Sequence, residues 1–277
     1  MKKQAALLGV IGIALTAFLY TRPKFVVKDE AKKTTESPSS TEESTTAEGD
    51  GETHTMAQLT KEQRSQLAVL QGELKNAKGA KQSETLRTIG QVYLQGMAFD
   101  SAAYYFEQIA ATTNQVGDWE LAGDTYFQAF GLALKNENIA SLAKKVQFCY
   151  GKVLALKPTA LQAKTNLAMT YVVSDSPMQA ITTLRQVLEI EPNFEPALMN
   201  LGVLSMQSNQ FDKAADRFRA VLRINPNNHN AQVGLAYSLI ELKEKAQAKV
   251  LLEELLAHKD LEKTLRDEVL NTLQSLK

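Results

Sequence analysis

One cysteine, Cys149, is all that the chain carries. That excludes a disulfide framework within the chain and any zinc site built from cysteines. It selects no cellular compartment. Net charge is also absent, with 31 basic and 31 acidic side chains, so no long-range field draws nucleic acid or a strongly acidic partner. Histidine is scarce: His54, His229 and His258 lie far apart in the sequence. They read as solvated surface side chains, and neither a metal site nor a cofactor is expected. No glycine-rich loop follows a strand, and nothing reads as a strand. Cys149, within "KKVQFCYGKVL", has no neighbouring histidine and reads as a small core residue rather than a reactive thiol. The carboxylates recur with lysines at helical spacing, which makes a solvated face before it makes an acid–base pair. No catalytic residue emerges, and enzymatic activity is not expected.

What is present begins at the N-terminus. "MKKQAALLGVIGIALTAFLYTRPK" has a basic start and an uncharged apolar run over residues 5–20. As a helix that run is about 24 Å long, somewhat short of a hydrocarbon core of about 30 Å. Lys2, Lys3, Arg22 and Lys24 can snorkel, and Tyr20 suits the interface. The best cleavage frames put Leu15 at −3 or Thr16 at −1, and neither is a small-residue site. No cysteine follows for lipidation. Residues 1–28 are therefore expected to be an uncleaved signal anchor in a bacterial inner membrane, crossing once. Five basic residues (Arg22, Lys24, Lys28, Lys32, Lys33) follow the run against Lys2 and Lys3 before it. By the positive-inside rule that favours a cytoplasmic body. The short "MKK" start is typical of export, which places the body in the periplasm. The periplasmic orientation is the expectation, with the cytoplasmic one as its alternative.

Residues 29–58 are rich in Thr, Ser and Glu. They have little to bury and are expected to be a disordered tether, with a reach of about 30 Å. From residue 59 the chain reads as helix. Thr60 and Gln63 spell a capping box, Leu67, Leu70 and Leu74 form one stripe, and "NAKGAKQ" is expected to break the helix before Ser83. Residues 59–82 then form an N-terminal capping helix.

Residues 195–228 repeat residues 161–194 at a shift of 34. The coincidences include Asn166/Asn200, Leu167/Leu201, Ala168/Gly202, Ala180/Ala214, Leu184/Phe218, Val187/Val221, Ile190/Ile224 and Pro192/Pro226. Such a period predicts a stack of helical hairpins, each with an A helix and a B helix. The small residues let the two helices approach, where a larger side chain would overpack. Pro192 and Pro226 end the B helices. "SPMQ" supplies Ser176 as an N-cap and Pro177 at the first helical position.

The pattern resembles the tetratricopeptide repeat (TPR) family. Leu86, Ile89, Gly90, Tyr93, Ala102 and Phe106 fit its W-x2-L-G-x2-Y…A…F order, with Asn114 in the place of the proline. "WELAGDTY" fits through Trp119, Ala122, Gly123 and Tyr126, and Leu235, Ala236, Leu239, Ala248 and Leu252 fit more weakly, with Asp260 in the proline place. The resemblance implies an all-α right-handed superhelix over residues 83–262. Its repeats would be 83–115, 116–160, 161–194, 195–228 and 229–262. The second is over-long, with both helices lengthened around a turn at 135–138. Residues 263–277 would cap the stack, with Leu261, Leu265, Val269, Leu273 and Leu276 turned inward.

A second apolar stripe runs about 100° round the A helices. It holds Thr165, Met169 and Val172; Met199, Val203 and Met206; and Val233, Tyr237 and Ile240. One reading buries it between neighbouring A helices. The other makes it a ligand groove, because in TPR proteins this stripe lines the concave face, and methionines adapt to varied apolar partners. Asn166 and Asn200 could then bind a peptide backbone. Thr165 and Met199 stand where carboxylate-binding TPR domains place Lys or Arg, so an amphipathic helix or apolar segment is the better ligand. The resemblance implies an adaptor for another protein, which the N-terminal anchor and tether would hold at the membrane. Its alternatives are an assembly factor in envelope or cytochrome biogenesis, or a structural module that associates with itself.

Overall fold

The computed structural model describes residues 59–133, 138–174 and 176–276. The apolar run at 5–20, the tether at 29–58 and most of the turn at 135–138 lie outside them. No helix among the described residues is long and apolar enough to cross a membrane. Those residues form twelve α-helices and no strand. In chain order they are α1 (Lys61–Leu74), α2 (Gly79–Gln95), α3 (Phe99–Thr113), α4 (Val116–Leu132), α5 (Ile139–Leu156) and α6 (Leu161–Tyr171). There follow α7 (Pro177–Ile190), α8 (Glu195–Gln207), α9 (Phe211–Ile224), α10 (His229–Glu241), α11 (Lys245–Leu256) and α12 (Lys263–Ser275). Two compact units divide the described chain, 59–129 and 130–276, with the boundary inside α4.

In the first unit, α1 opens with the capping box that its sequence spells. The Gln63 amide donates to Thr60 Oγ1 at 3.1 Å, and the Thr60 amide donates to Gln63 Oε1 at 2.9 Å. Such a cap stabilises a helix by about 1 kcal/mol. The next helix starts at Gly79, four residues before the expected Ser83. Gly79 has φ +57°, a conformation that glycine adopts at little cost, and "AKQ" then enters the helix directly. The Gly90 position packs on Phe106: a Cβ there would lie 2.5 Å from the ring.

Asn114 ends α3 in the left-handed region, at φ 48°, with its amide donating to Ala110 O at 2.8 Å. Its side chain accepts from Trp119 Nε1 at 3.1 Å. Asp118 accepts from Thr113 Oγ1 at 2.7 Å and pairs with Arg87 at 3.0 Å. This polar clasp turns the chain where the repeats at 161–194 and 195–228 use proline.

In the second unit, consecutive helices pack from α5 to α12, and the A helices α6, α8 and α10 also touch their nearest counterparts. Pro192 and Pro226 act as their sequence predicts. Glu191 and Asn225, just before them, are extended at φ −133° and −135°, and α7 and α9 stop one residue earlier. Ser176 differs from expectation. It is the N-cap residue of α7, but its hydroxyl caps nothing; its carbonyl accepts from the Gln179 amide at 2.9 Å instead. Three of the A-to-B turns share one device. Asn209 and Lys243 adopt φ 56° and 67°, and the next amide reaches back five residues, from Gln210 to Ser205 O and from Glu244 to Leu239 O, each at 2.8 Å. Met97 makes the same turn in the first unit, with φ 58°.

Phe218 on α9 is the centre of one core cluster with Leu198, Ala214, Val221, Leu235 and Leu239. A Cβ placed on Gly202 or on Gly234 would lie 2.6 Å from its ring. The ring thus fills space left on two A helices, one in its own hairpin and one in the next. One repeat earlier the same places hold Ala168 and Leu184, both fully buried. A smaller B-helix side chain there accepts a larger A-helix one. At the C-terminus, Leu261, Leu265 and Val269 are buried against α10 and α11, and Leu273 and Leu276 pack on the same cluster.

Candidate protein-binding face

The second stripe does not behave as one surface. Thr165 and Met169 are 0% and 2% exposed. Their helix, α6, packs against α5, α7 and α8, so the expectation that Met169 meets a ligand is corrected: it is core. Val233 is likewise buried, in the cluster that seats α12. Tyr237 is partly exposed but engaged. Its hydroxyl donates to Glu268 Oε1 at 2.9 Å and lies 3.0 Å from Thr272 Oγ1, both on α12. The stripe therefore ends where the C-terminal helix docks.

Asn166, expected to bind a peptide, is already used. Its Nδ2 donates to Tyr150 Oη at 2.8 Å, and its Oδ1 accepts from Gln162 at 2.8 Å. Asn200, one repeat later, is half-buried. Met199, Val203 and Met206 on α8, Ile240 on α10 and Val172 at the end of α6 are all partly exposed and rest on the clusters beneath them.

Helix α8 is held from behind. Arg217 of α9 donates through Nη1 to Leu201 O at 2.9 Å and to Ser205 Oγ. Burial, and secondarily the Arg185 guanidinium, lower its pKa, with Asp212 opposing them; an arginine nevertheless stays charged. Leu198, Leu201 and Leu204 fix the opposite side of α8 in the core. The exposed methionines are thus adaptable tips on a pinned helix.

The histidines overturn the expectation of separate solvated side chains. His229 and His258 have ring centroids 4.9 Å apart. Burial, then the charge of His258, lower the pKa of His229, while Asp260 opposes them.

The 34-residue hairpin, its A-to-B turn and its paired small and large core positions are a recognisable unit. Residues 205–263 match the family model described as Tetratricopeptide repeat. Over that stretch the chain is similar to tetratricopeptide repeats. Solved structures with the same fold include a TPR protein from Parabacteroides merdae, at 13% identity and a TM-score of 0.57, covering 77% of this chain and 82% of that one. TTC0263, a thermophilic TPR protein from Thermus thermophilus, shares 17% identity with a TM-score of 0.53, over 69% of this chain and 99% of its own. The MamA protein shares 18% identity with a TM-score of 0.50, over 65% of this chain and 96% of its own. At such identities the likeness is one of fold. No curated protein matches the sequence. Within the TPR frame, α6, α8 and α10 are A helices, and the exposed apolar tips lie on the A-helix side of the repeats.

Proposed function

We propose that this chain is a membrane-tethered TPR scaffold that binds an amphipathic helix or extended apolar segment of another protein and catalyses no reaction. The observation that carries this reading is Met199, Val203 and Met206. They are spaced by about one helical turn, stand partly exposed on one face of α8, and pack against the same core cluster as Ile240. Three apolar side chains left at the surface of a helix whose other face is core favour a second partner. Methionine can re-pack around side chains of different shape, and apolar anchors at i, i+4 and i+7 suit a helix laid in a groove. In this reading the A helices of the second unit line the groove, which is centred on α8 and closed at one end by α12. Residues 5–20 anchor the chain in the inner membrane, residues 29–58 tether it, and the TPR body lies in the periplasm.

The tether and the binding are tested separately. The intact chain should fractionate with membranes and resist carbonate extraction. A soluble mature form starting between residues 18 and 24 would contradict the anchor. Protease should reach the tether in spheroplasts, and protection there would place the body in the cytoplasm. Crosslinking in membranes, followed by purification of the full-length protein, should yield one protein partner in stoichiometric amount. Recovery of only the chain's own dimer would favour a self-associating module.

A further inference from the structure

We propose that His229, His258 and Asp260 form a binding site for a divalent transition-metal ion of the zinc class. Their ligand atoms, two imidazole nitrogens and a carboxylate oxygen, all lie within 4.8 Å of one another. Around a tetrahedral zinc ion, ligand atoms stand about 3.3 Å apart. The ligand atoms must therefore draw together by up to about 1.5 Å on binding, a distance within the reach of side-chain rotation. His229 Nε2 is buried and has no hydrogen-bond partner. A buried ring nitrogen without a partner costs stability, and a metal ion is one ligand that would satisfy it.

The two turns that carry these side chains are already pinned. Asn228 caps α10 by accepting from the Ala231 amide at 2.9 Å, and its Nδ2 donates to Glu195 Oε1 at 2.7 Å. His229 is the first residue of that helix. Arg266 donates to the carbonyls of Leu256 and His258, at 3.0 and 2.6 Å, and so fixes the turn after α11. Pre-positioned ligands lose little freedom on binding.

The donor set decides the class of ion. Two imidazoles and one carboxylate suit zinc and its borderline neighbours, while calcium and magnesium prefer all-oxygen shells and copper(I) prefers sulfur. Three protein ligands leave a fourth position for water. Charge works in both directions. The N-terminus of α10 and Arg266 oppose a cation, while the C-terminal end of α11 and the Asp260 carboxylate favour it. A bound ion would tie the last hairpin, α10 and α11, across its open end, close to where α12 docks.

The test uses the full-length protein with ZnCl2 alone as the probe, read by titration calorimetry and by thermal unfolding. One zinc ion per chain should bind and raise the unfolding midpoint. Co2+ in its place should give the visible absorption of a tetrahedral N,O site. His258→Ala should weaken binding by at least about tenfold, and Asp260→Asn should weaken it less. His54→Ala should change nothing. His258 lies in a turn and is partly exposed, so this variant should keep its helical circular dichroism even if His229→Ala does not. Absence of saturable zinc binding in the wild type would overturn the site. So would unchanged affinity in folded His258→Ala, or loss of binding in His54→Ala.

Discussion

Phe218→Ala should destabilise the protein by about 3–5 kcal/mol, the range for emptying a buried aromatic site. Phe218 is 1% exposed, and its ring occupies the space left by Gly202 on one A helix and Gly234 on the next. Neither glycine can collapse into the void, because neither has a side chain. Gly202→Ala should also be unfavourable, through its 2.6 Å approach to the ring. Overpacking of this kind costs about 1–3 kcal/mol, against which the better helix propensity of alanine returns up to about 1 kcal/mol. The two effects are coupled. Phe218→Leu in the Gly202→Ala background reproduces the Ala168 and Leu184 pairing of the preceding repeat, and it should recover part of the loss. Urea unfolding followed by circular dichroism would measure the four corners of that cycle. Strict additivity of the two single changes would show that ring and glycine do not share the space.

Met199→Glu should leave the fold intact and abolish partner capture. Met199 is partly exposed and rests on the Phe218 cluster by part of its length. The glutamate methylenes can keep that contact while the carboxylate stays in water, so stability should change by less than about 1 kcal/mol. In the groove the same carboxylate would face an apolar segment, and desolvating it there is unfavourable. The readout is the thermal midpoint and the crosslinked partner yield for both proteins. A collapsed midpoint would mean that Met199 is core, as Met169 proves to be. An unchanged midpoint with unchanged capture would remove α8 from the site.

The parts of the fold that could be read from the sequence are those set by local chemistry. Pro192 and Pro226 force the preceding residue into extended backbone wherever they stand, and the Thr60 capping box involves only four residues. The 34-residue spacing exposed the hairpins because every repeat must bury the same face. The A-to-B turns were less readable. Met97 and Lys243 adopt positive φ without the glycine or asparagine that usually marks it, and the turn is imposed by the packing of the two helices it joins. The start of α2 is hard to read because Gly79 has the look of a breaker and serves as an entry. The stripe on the A helices was visible as a periodicity. Periodicity does not say which helix lies opposite, so burial of Met169 and the use of Tyr237 by α12 emerged only in three dimensions. The pairing of Asn166 is hidden for the same reason: Tyr150, its partner, belongs to the preceding helix. His229 and His258 are separated by a whole hairpin, and only the return of α11 brings their rings together.

Binding on the A-helix face of α8 is tested most directly by a photo-crosslinking amino acid placed there in the full-length, membrane-associated protein. Val203 is the position of choice, since it is partly exposed between Met199 and Met206. Ile224, 40% exposed at the end of the B helix α9, is the control. Irradiation should produce one discrete adduct with another protein from position 203 and none from position 224, and Met199→Glu should remove it. Equal adducts from both positions, or none from position 203 while the protein remains folded, would contradict binding on this face.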